Sequence, residues 1–199
     1  MKEGLFIVIY GINNIGKSTQ VEMLLEAFKK AKLEVKHIKY PIYDLEPTGS
    51  KINEVLRSGK EQVMSEVALQ KLYAKNRLDY QSELIRMLAS GINIIAEDYV
   101  GTGLGWGWTK GAEIEELIKI NRGLLKPDIV VLLDGERYLE GKEENHIHET
   151  NDEWMETCRD KYMELATRFN WEVVDANQTR DEVHDNIIDV IEKKVKELE

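Results

Sequence analysis

Nine consecutive residues have the types and spacing for phosphate chemistry: Gly11-Ile12-Asn13-Asn14-Ile15-Gly16-Lys17-Ser18-Thr19. Gly11 and Gly16 tolerate torsions that side chains resist, so successive backbone N–H groups can curl around an anion. A helix that begins here adds partial positive charge at the same point. Lys17 then has the reach for the β/γ-phosphates of a nucleotide, and the Ser18 hydroxyl suits a Mg²⁺ ion held beside them. A second group, Glu97-Asp98, puts two carboxylates at the end of an apolar run. That is where a parallel sheet presents functional side chains. His146-Ile147-His148-Glu149 has metal-ligand residue types, but it reads as a polar loop with two chance histidines.

The surrounding elements are those that such a loop needs. Leu5 to Tyr10 is an apolar run ahead of it, and Gln20 to Lys32 has helical spacing, with Val21, Leu24, Leu25 and Phe28 on one face. Leu33 to Tyr40 alternates as a strand, and Asp44 to Ser50 is rich in turn formers ahead of a short helix through Arg57. Glu61 to Ser90 lacks Pro and Gly and predicts one or two helices, with Gly91 at a C-cap position. Ile92 to Ala96 and Ile129 to Leu133 are buried strands, and Asp134 caps the latter. The stretch Gly101 to Trp108 only superficially resembles a dinucleotide fingerprint, because the helix and second βαβ unit that one requires do not come after it correctly. Residues 135–150 are charged and apolar-poor, as an exposed lid would be. Asn151 to Arg168 reads as a helix and Trp171 to Val174 as the last strand. Thr179-Arg180-Asp181-Glu182 is a capping box ahead of a stripe of Val183, Ile187, Ile191 and Val195. Alternating strands and helices predict an α/β fold of the three-layer P-loop NTPase type: a parallel sheet of about five strands, helices on both faces and a short lid.

Composition sets limits on the rest. At 199 residues the chain is expected to form one domain, 1–199, with a substantial core. Charged residues make up 32% and hydrophobic ones 42%, the profile of a soluble globular protein. No apolar run has the length of a membrane span, and Met1-Lys2-Glu3-Gly4 runs straight into a strand, which predicts neither signal peptide nor anchor. The single cysteine, Cys158, allows no internal disulfide and fits a cytoplasmic location, where it reads as a small buried hydrophobe. A net charge of −10 argues against nucleic-acid binding but leaves room for small phosphorylated ligands.

The motifs go further than a generic phosphate binder. Gly11 to Gln20 resembles the G-x-D-G-x-G-K-[ST]-T-Q loop of the thymidylate kinase family. Leu45-Glu46-Pro47-Thr48-Gly49-Ser50 is similar to its R-E-P-G-G-T, and Leu72-Tyr73-Ala74-Lys75-Asn76-Arg77 to its L-F-A-A-[DN]-R. Glu97-Asp98-Tyr99 stands at its D-R-Y, Lys126-Pro127-Asp128 at its K-P-D, and Asp175-Ala176-Asn177 at its D-A-S. The resemblance runs nearly end to end and in register. It implies phosphorylation of a deoxynucleoside monophosphate, dTMP to dTDP, by ATP with Mg²⁺, in a homodimer. It further implies that Gly11, Asn14, Ile15, Gly16, Lys17, Ser18 and Thr19 hold the ATP phosphates, with Arg137 from the lid. Ala176, Asn177 and Gln178 would lie against adenine, and Ser18 and Glu97 would serve Mg²⁺. On the acceptor side, Tyr73 would stack on the base, Arg77 would hydrogen-bond it, and Arg57 would hold its phosphate. Asn13, Glu46, Asp98, Tyr99 and Trp106 complete that expected set; Lys17, Glu97 and Arg57 are the expected catalytic group.

The departures concern charge. Asp98 stands where the family has a phosphate-clamping arginine, and a carboxylate there repels a phosphate. Leu45 replaces another arginine, and the lid keeps only Arg137 and Lys142, leaving Lys39 and Lys110 as candidate replacements. A deoxynucleoside kinase, whose hydroxyl acceptor needs a carboxylate base and no arginine clamp, therefore stays open on sequence alone. So does a non-catalytic nucleotide-binding protein.

Overall fold

The computed structural model describes residues 3–57, 64–136 and 152–198. Its strands are β1 (Phe6–Tyr10), β2 (Val35–Lys39), β3 (Asn93–Glu97), β4 (Ile129–Asp134) and β5 (Glu172–Asp175). The helices are α1 (Lys17–Lys30), α2 (Thr48–Arg57), α3 (Glu66–Ala89), α4 (Val100–Thr109), α5 (Ile114–Ile120), α6 (Asp152–Phe169) and α7 (Arg180–Leu198). All strand pairings are parallel, in the order β2-β3-β1-β4-β5. β1 is central and every one of its five residues is buried. That is why Phe6-Ile7-Val8-Ile9-Tyr10 is continuously apolar: both faces are covered by helices. β2 and β5 lie at the edges and carry polar residues accordingly.

α1 and α7 pack together over one face, α1 on β1 to β3 and α7 on β4 and β5. α3 and α6 cover the other face, bridged by α4. The α1 stripe is as expected, with Val21, Leu24 and Phe28 buried and Leu25 partly so. α7 starts with the reciprocal bonds of a capping box: Glu182 N–H donates to Thr179 Oγ1 at 3.3 Å, and Thr179 N–H donates to Glu182 Oε2 at 3.0 Å. α3 is a single helix of 24 residues, capped by Ser65, whose Oγ accepts from Ala68 N–H. It ends in a Schellman pair, Gly91 N–H to Leu88 O and Ile92 N–H to Met87 O, with Gly91 at φ 85°. Cys158 is buried in the main core, and burial pushes its thiol up to about 12.

One reading of the sequence needs correction. The stretch Gly101 to Trp108 is itself a helix, α4, despite four glycines that each weaken a helix by about 1 kcal/mol. The glycines fall on two faces because residues four apart align. A Cβ on Gly101 would come within 2.6 Å of Trp171 and 2.7 Å of Tyr10, and one on Gly105 within 3.2 Å of Tyr162. On the other face, Gly103 abuts Gln70 and Arg77, and Gly107 abuts Leu117 and Gln70. Tertiary proximity, not propensity, makes this helix. Residues 137–150, the bulk of the expected lid, lie outside the described residues, with Arg137, Lys142, His146 and His148 among them.

Gly101→Ala is expected to lower stability by about 1–3 kcal/mol, because its methyl group would displace Tyr10 and Trp171. Urea denaturation measures this, and an unchanged midpoint would show that α4 does not pack this closely.

Candidate active site

The glycine-bounded loop, Gly11 to Gly16, follows β1. Gly11 at φ 151° is packed so closely that a Cβ would meet Ile15 Cγ2 at 2.7 Å and the Leu133 carbonyl at 2.9 Å. Gly16 at φ 96° turns the chain into α1. Asn14 also has positive φ, and the buried Ile15 anchors the loop in the core. Lys17 Nζ folds back over the loop, donating to the Gly11 and Ile12 carbonyls at 3.0 Å each. Thr19 and Ser18 are exposed at the cleft.

Register brings the second half of the phosphate end into place. β1 pairs with β3 so that Ile9 lies beside Glu97, and the Ser18 hydroxyl donates to Glu97 Oε1 at 2.9 Å. Lys39, from the neighbouring β2, places Nζ 2.8 Å from the same oxygen. Burial works against a charge on Glu97. The hydrogen bond and charge of Lys39, with Ser18 and Lys17, outweigh it and hold the carboxyl below the usual range. Those same interactions raise Lys39 against the opposing effect of burial. His37 is 3.9 Å from Glu97, but burial lowers its pKa, so this contact is not an ion pair at neutral pH.

Asp98 behaves oppositely. It adopts φ 64°, lines the cleft and accepts a 2.8 Å hydrogen bond from Thr102 Oγ1. Burial pushes its carboxyl up, against the lowering effects of Lys17 and the Thr102 bond, and the Glu97 charge pushes the same way as burial. Two adjacent carboxyls thus have diverging affinities for a proton. Asp98 does not turn away from the site.

The opposite wall comes from α3. Glu66, Gln70, Tyr73 and Arg77 recur at helical spacing along one cleft-lining stripe. Arg77 is buried, donates from Nη1 to Asn121 Oδ1 at 2.9 Å and lies 6.0 Å from the Tyr99 ring centroid. Tyr99 is also a core residue, edge-on to Phe6. Trp106, from α4, lines the cleft; Trp108 instead lies under Lys161, 4.0 Å from ring to Nζ. The whole cleft, which Asn13 and Asn14 also line, measures about 580 Å³, enough for a nucleotide. Gln70 and Glu66 line the cleft without a motif in the sequence to mark them, whereas Lys110 is among the candidate replacement cations. Continuing the Tyr73–Arg77 stripe one and two turns backward would have found the first two.

The remaining expected residues are placed differently. Arg57 is the last residue of α2, and its side chain lies outside the described residues. Glu46 is exposed, accepts from Ser50 Oγ at 2.7 Å and is not in the cleft lining. Ala176, Asn177 and Gln178 follow β5, where Asn177 Oδ1 accepts from Glu136 N–H at 2.8 Å beside Gly135. They also lie outside the cleft lining. Asp134 is bound by Arg159 in a two-pronged pair at 2.6 and 2.8 Å. Among the described residues, no group of three or more His, Cys, Asp or Glu could hold a metal. No described helix is long and apolar enough to cross a membrane.

The chain is similar to known proteins over nearly its full length. A family model described as thymidylate kinase matches residues 9–187. A probable thymidylate kinase of Thermococcus onnurineus is 30% identical, over 96% of this chain and 98% of its own. The thymidylate kinase of Dictyostelium discoideum is 27% identical over 100% and 90%, respectively. A solved structure of thymidylate kinase from Candida albicans superposes with a TM-score of 0.81 at 25% identity, covering 96% of this chain and 92% of that one. With the phosphate loop, the Glu97 strand end and the α3 stripe all inside the matched span, the chain belongs to the thymidylate kinase family.

Proposed function

We propose that the protein transfers the γ-phosphoryl group of ATP to dTMP, giving dTDP and ADP. The observation that carries this reading is one continuous cleft with the Lys17 loop at one end and the Tyr73–Arg77 stripe at the other. Family membership supports it, and it does not favour the nucleoside-kinase or non-catalytic readings.

In the reaction, an oxygen of the dTMP phosphate attacks the γ-phosphorus of ATP as the bond to the bridging oxygen of ADP breaks. Positioning and charge neutralisation do most of the work in such a transfer. Lys17 would release the Gly11 and Ile12 carbonyls and engage the β/γ-phosphates, alongside the N–H groups of residues Gly11 to Thr19. Ser18 and Glu97 offer two hard oxygens 2.9 Å apart at the cleft, a donor pair that fits Mg²⁺. Mg²⁺ takes few protein ligands and completes its shell from phosphates and water, so a site of two side chains is sufficient. When bound, the ion supplies positive charge between the phosphates. Asn13 would accept a hydrogen bond from the sugar hydroxyl, Tyr73 would stack on the base, and Arg77 would donate to it. Trp106 and Tyr99 would wall the nucleoside, Arg57 would hold its phosphate and Glu46 would steady the segment before α2. Arg137, with Ala176, Asn177 and Gln178, would serve ATP.

Lys39 is the better of the two replacements for the missing arginine. It reaches the phosphate end through Glu97, whereas Lys110 is paired with Glu66 on α3 at 3.6 Å. A homodimer is part of the same proposal: Leu78 and Ile85, two turns apart on α3, are 51% and 45% exposed and would be covered by a second copy. A cytoplasmic location fits the single, buried thiol.

ADP release with Mg·ATP and dTMP, dUMP, dCMP or thymidine tests the reading. Turnover of thymidine with none of dTMP would sink it. Lys17→Ala is expected to lower kcat by roughly 10²- to 10³-fold, with the far-ultraviolet spectrum retained; an unchanged rate would remove the loop from the mechanism. Asp98 gives a pH-dependent prediction. Because its folded pKa is raised, its ionisation costs stability as pH rises through the folded value. Asp98→Asn should therefore stabilise the fold near neutral pH, and the gain should fade as pH falls toward about 4, the ordinary carboxylate range. Denaturation at several pH values checks this, and a gain independent of pH would rule out the charge as its cause.

A further inference from the structure

We propose that Gln70 reads the acceptor base and selects an imide edge, a ring N–H beside a carbonyl. The inference rests on the cleft being the acceptor site, and it assigns a specificity-determining role to a residue one turn before Tyr73. Gln70 is 2% exposed and lines the cleft. Its Nε2 donates to Glu66 Oε1 at 2.7 Å, and the other Glu66 oxygen faces Lys110 Nζ at 3.6 Å. Both of those side chains are almost buried, 12% and 10% exposed. A carboxylate only accepts, so the amide N–H group is committed to Glu66 and the amide oxygen must point the other way. The Glu66–Lys110 pair thereby fixes the orientation of Gln70.

The amide oxygen, Oε1, is buried and has no hydrogen-bond partner among the described residues. Buried acceptors are rarely left so. Its position indicates the missing donor. The point where a Cβ on Gly103 would stand is 2.6 Å from Gln70 Oε1 and 3.0 Å from Arg77 Nη2. An acceptor and a cationic donor therefore converge beside a glycine, and any larger residue there would occupy the space they share. Acceptor next to donor is the complement of N–H next to C=O. Thymine and uracil present that pair as N3–H and O4. Cytosine presents the reverse, a bare ring nitrogen beside an amino group, so it would face oxygen lone pairs with lone pairs and a guanidinium with N–H donors. A site built around a ligand N–H rejects an analogue without it, because its own buried group is then left unpaired.

Calorimetric binding of dTMP, dUMP, dCMP and N3-methyl-dTMP to the full chain, alongside their turnover with Mg·ATP, tests this. The wild type should bind dTMP and dUMP roughly 10- to 100-fold more tightly than dCMP or the N3-methyl analogue. Gln70→Leu should weaken dTMP about 10-fold and dCMP little, closing the gap, with kcat at saturating dTMP within a few-fold of wild type. Glu66→Gln, which frees the amide to rotate, should narrow the same ratio. A dTMP-to-dCMP ratio unchanged in either variant would overturn the proposal. Should Gln70→Leu not fold, equal binding of dTMP and N3-methyl-dTMP by the wild type overturns it as well. Imide-selective binding without phosphoryl transfer would refute the kinase reading and leave the role of Gln70 standing. Transfer to all three pyrimidine nucleotides alike would refute Gln70 alone, and binding of none would refute both.

Discussion

The hydrogen bond from Ser18 to Glu97 joins the two halves of the phosphate end. It links the first turn of α1 to the last residue of β3, 79 positions apart in the chain. It forms because β1 and β3 are parallel neighbours in one register, with Ile9 beside Glu97. A slip of one residue would turn Glu97 to the other side of the sheet and expose part of the β3 core. The continuously apolar β1 and β3 resist that slip, so core packing indirectly fixes the distance between the two oxygens.

Charge at this end is balanced locally. The end of β3 carries two adjacent carboxyls, Glu97 and Asp98, and they are treated differently. Glu97 is held ionised by Lys39, Ser18 and Lys17, while Asp98 is disfavoured as an anion by burial and by Glu97 itself. Lys39 comes from β2, the edge strand adjacent to β3, so the cation paired with Glu97 arrives from across the sheet.

α4 shows a second constraint, on space. Its alternating glycines let Tyr10, Trp171 and Tyr162 approach on one side and Gln70 and Arg77 on the other. The helix is thin enough to lie between the aromatic core and the cleft-lining side of α3. Its low propensity explains why the sequence does not read as a helix there: the stabilising contacts come from α3, α6 and β1, which no local window contains. Thr102, on the same helix, holds Asp98.

Much of the architecture was legible from local pattern. The loop Gly11 to Thr19, the apolar strands, the Thr179–Glu182 capping box and the Gly91 stop each depend on neighbours within a few residues, and each stands where it was expected. The motif resemblance also led to the correct family. Short-range rules cannot specify which side chains meet across the cleft. That Asp98 faces inward, that Lys39 rather than Lys110 pairs with Glu97, and that Gln70 is oriented by Glu66 all depend on strand order and on the closeness of α3 to α4. The sequence by itself determined the glycine-bounded loop after β1, because its turns depend on consecutive residues and the torsions that glycine allows. Only the tertiary structure decided how Gln70, Glu66 and Asp98 face the cleft, because those side chains converge from separate elements.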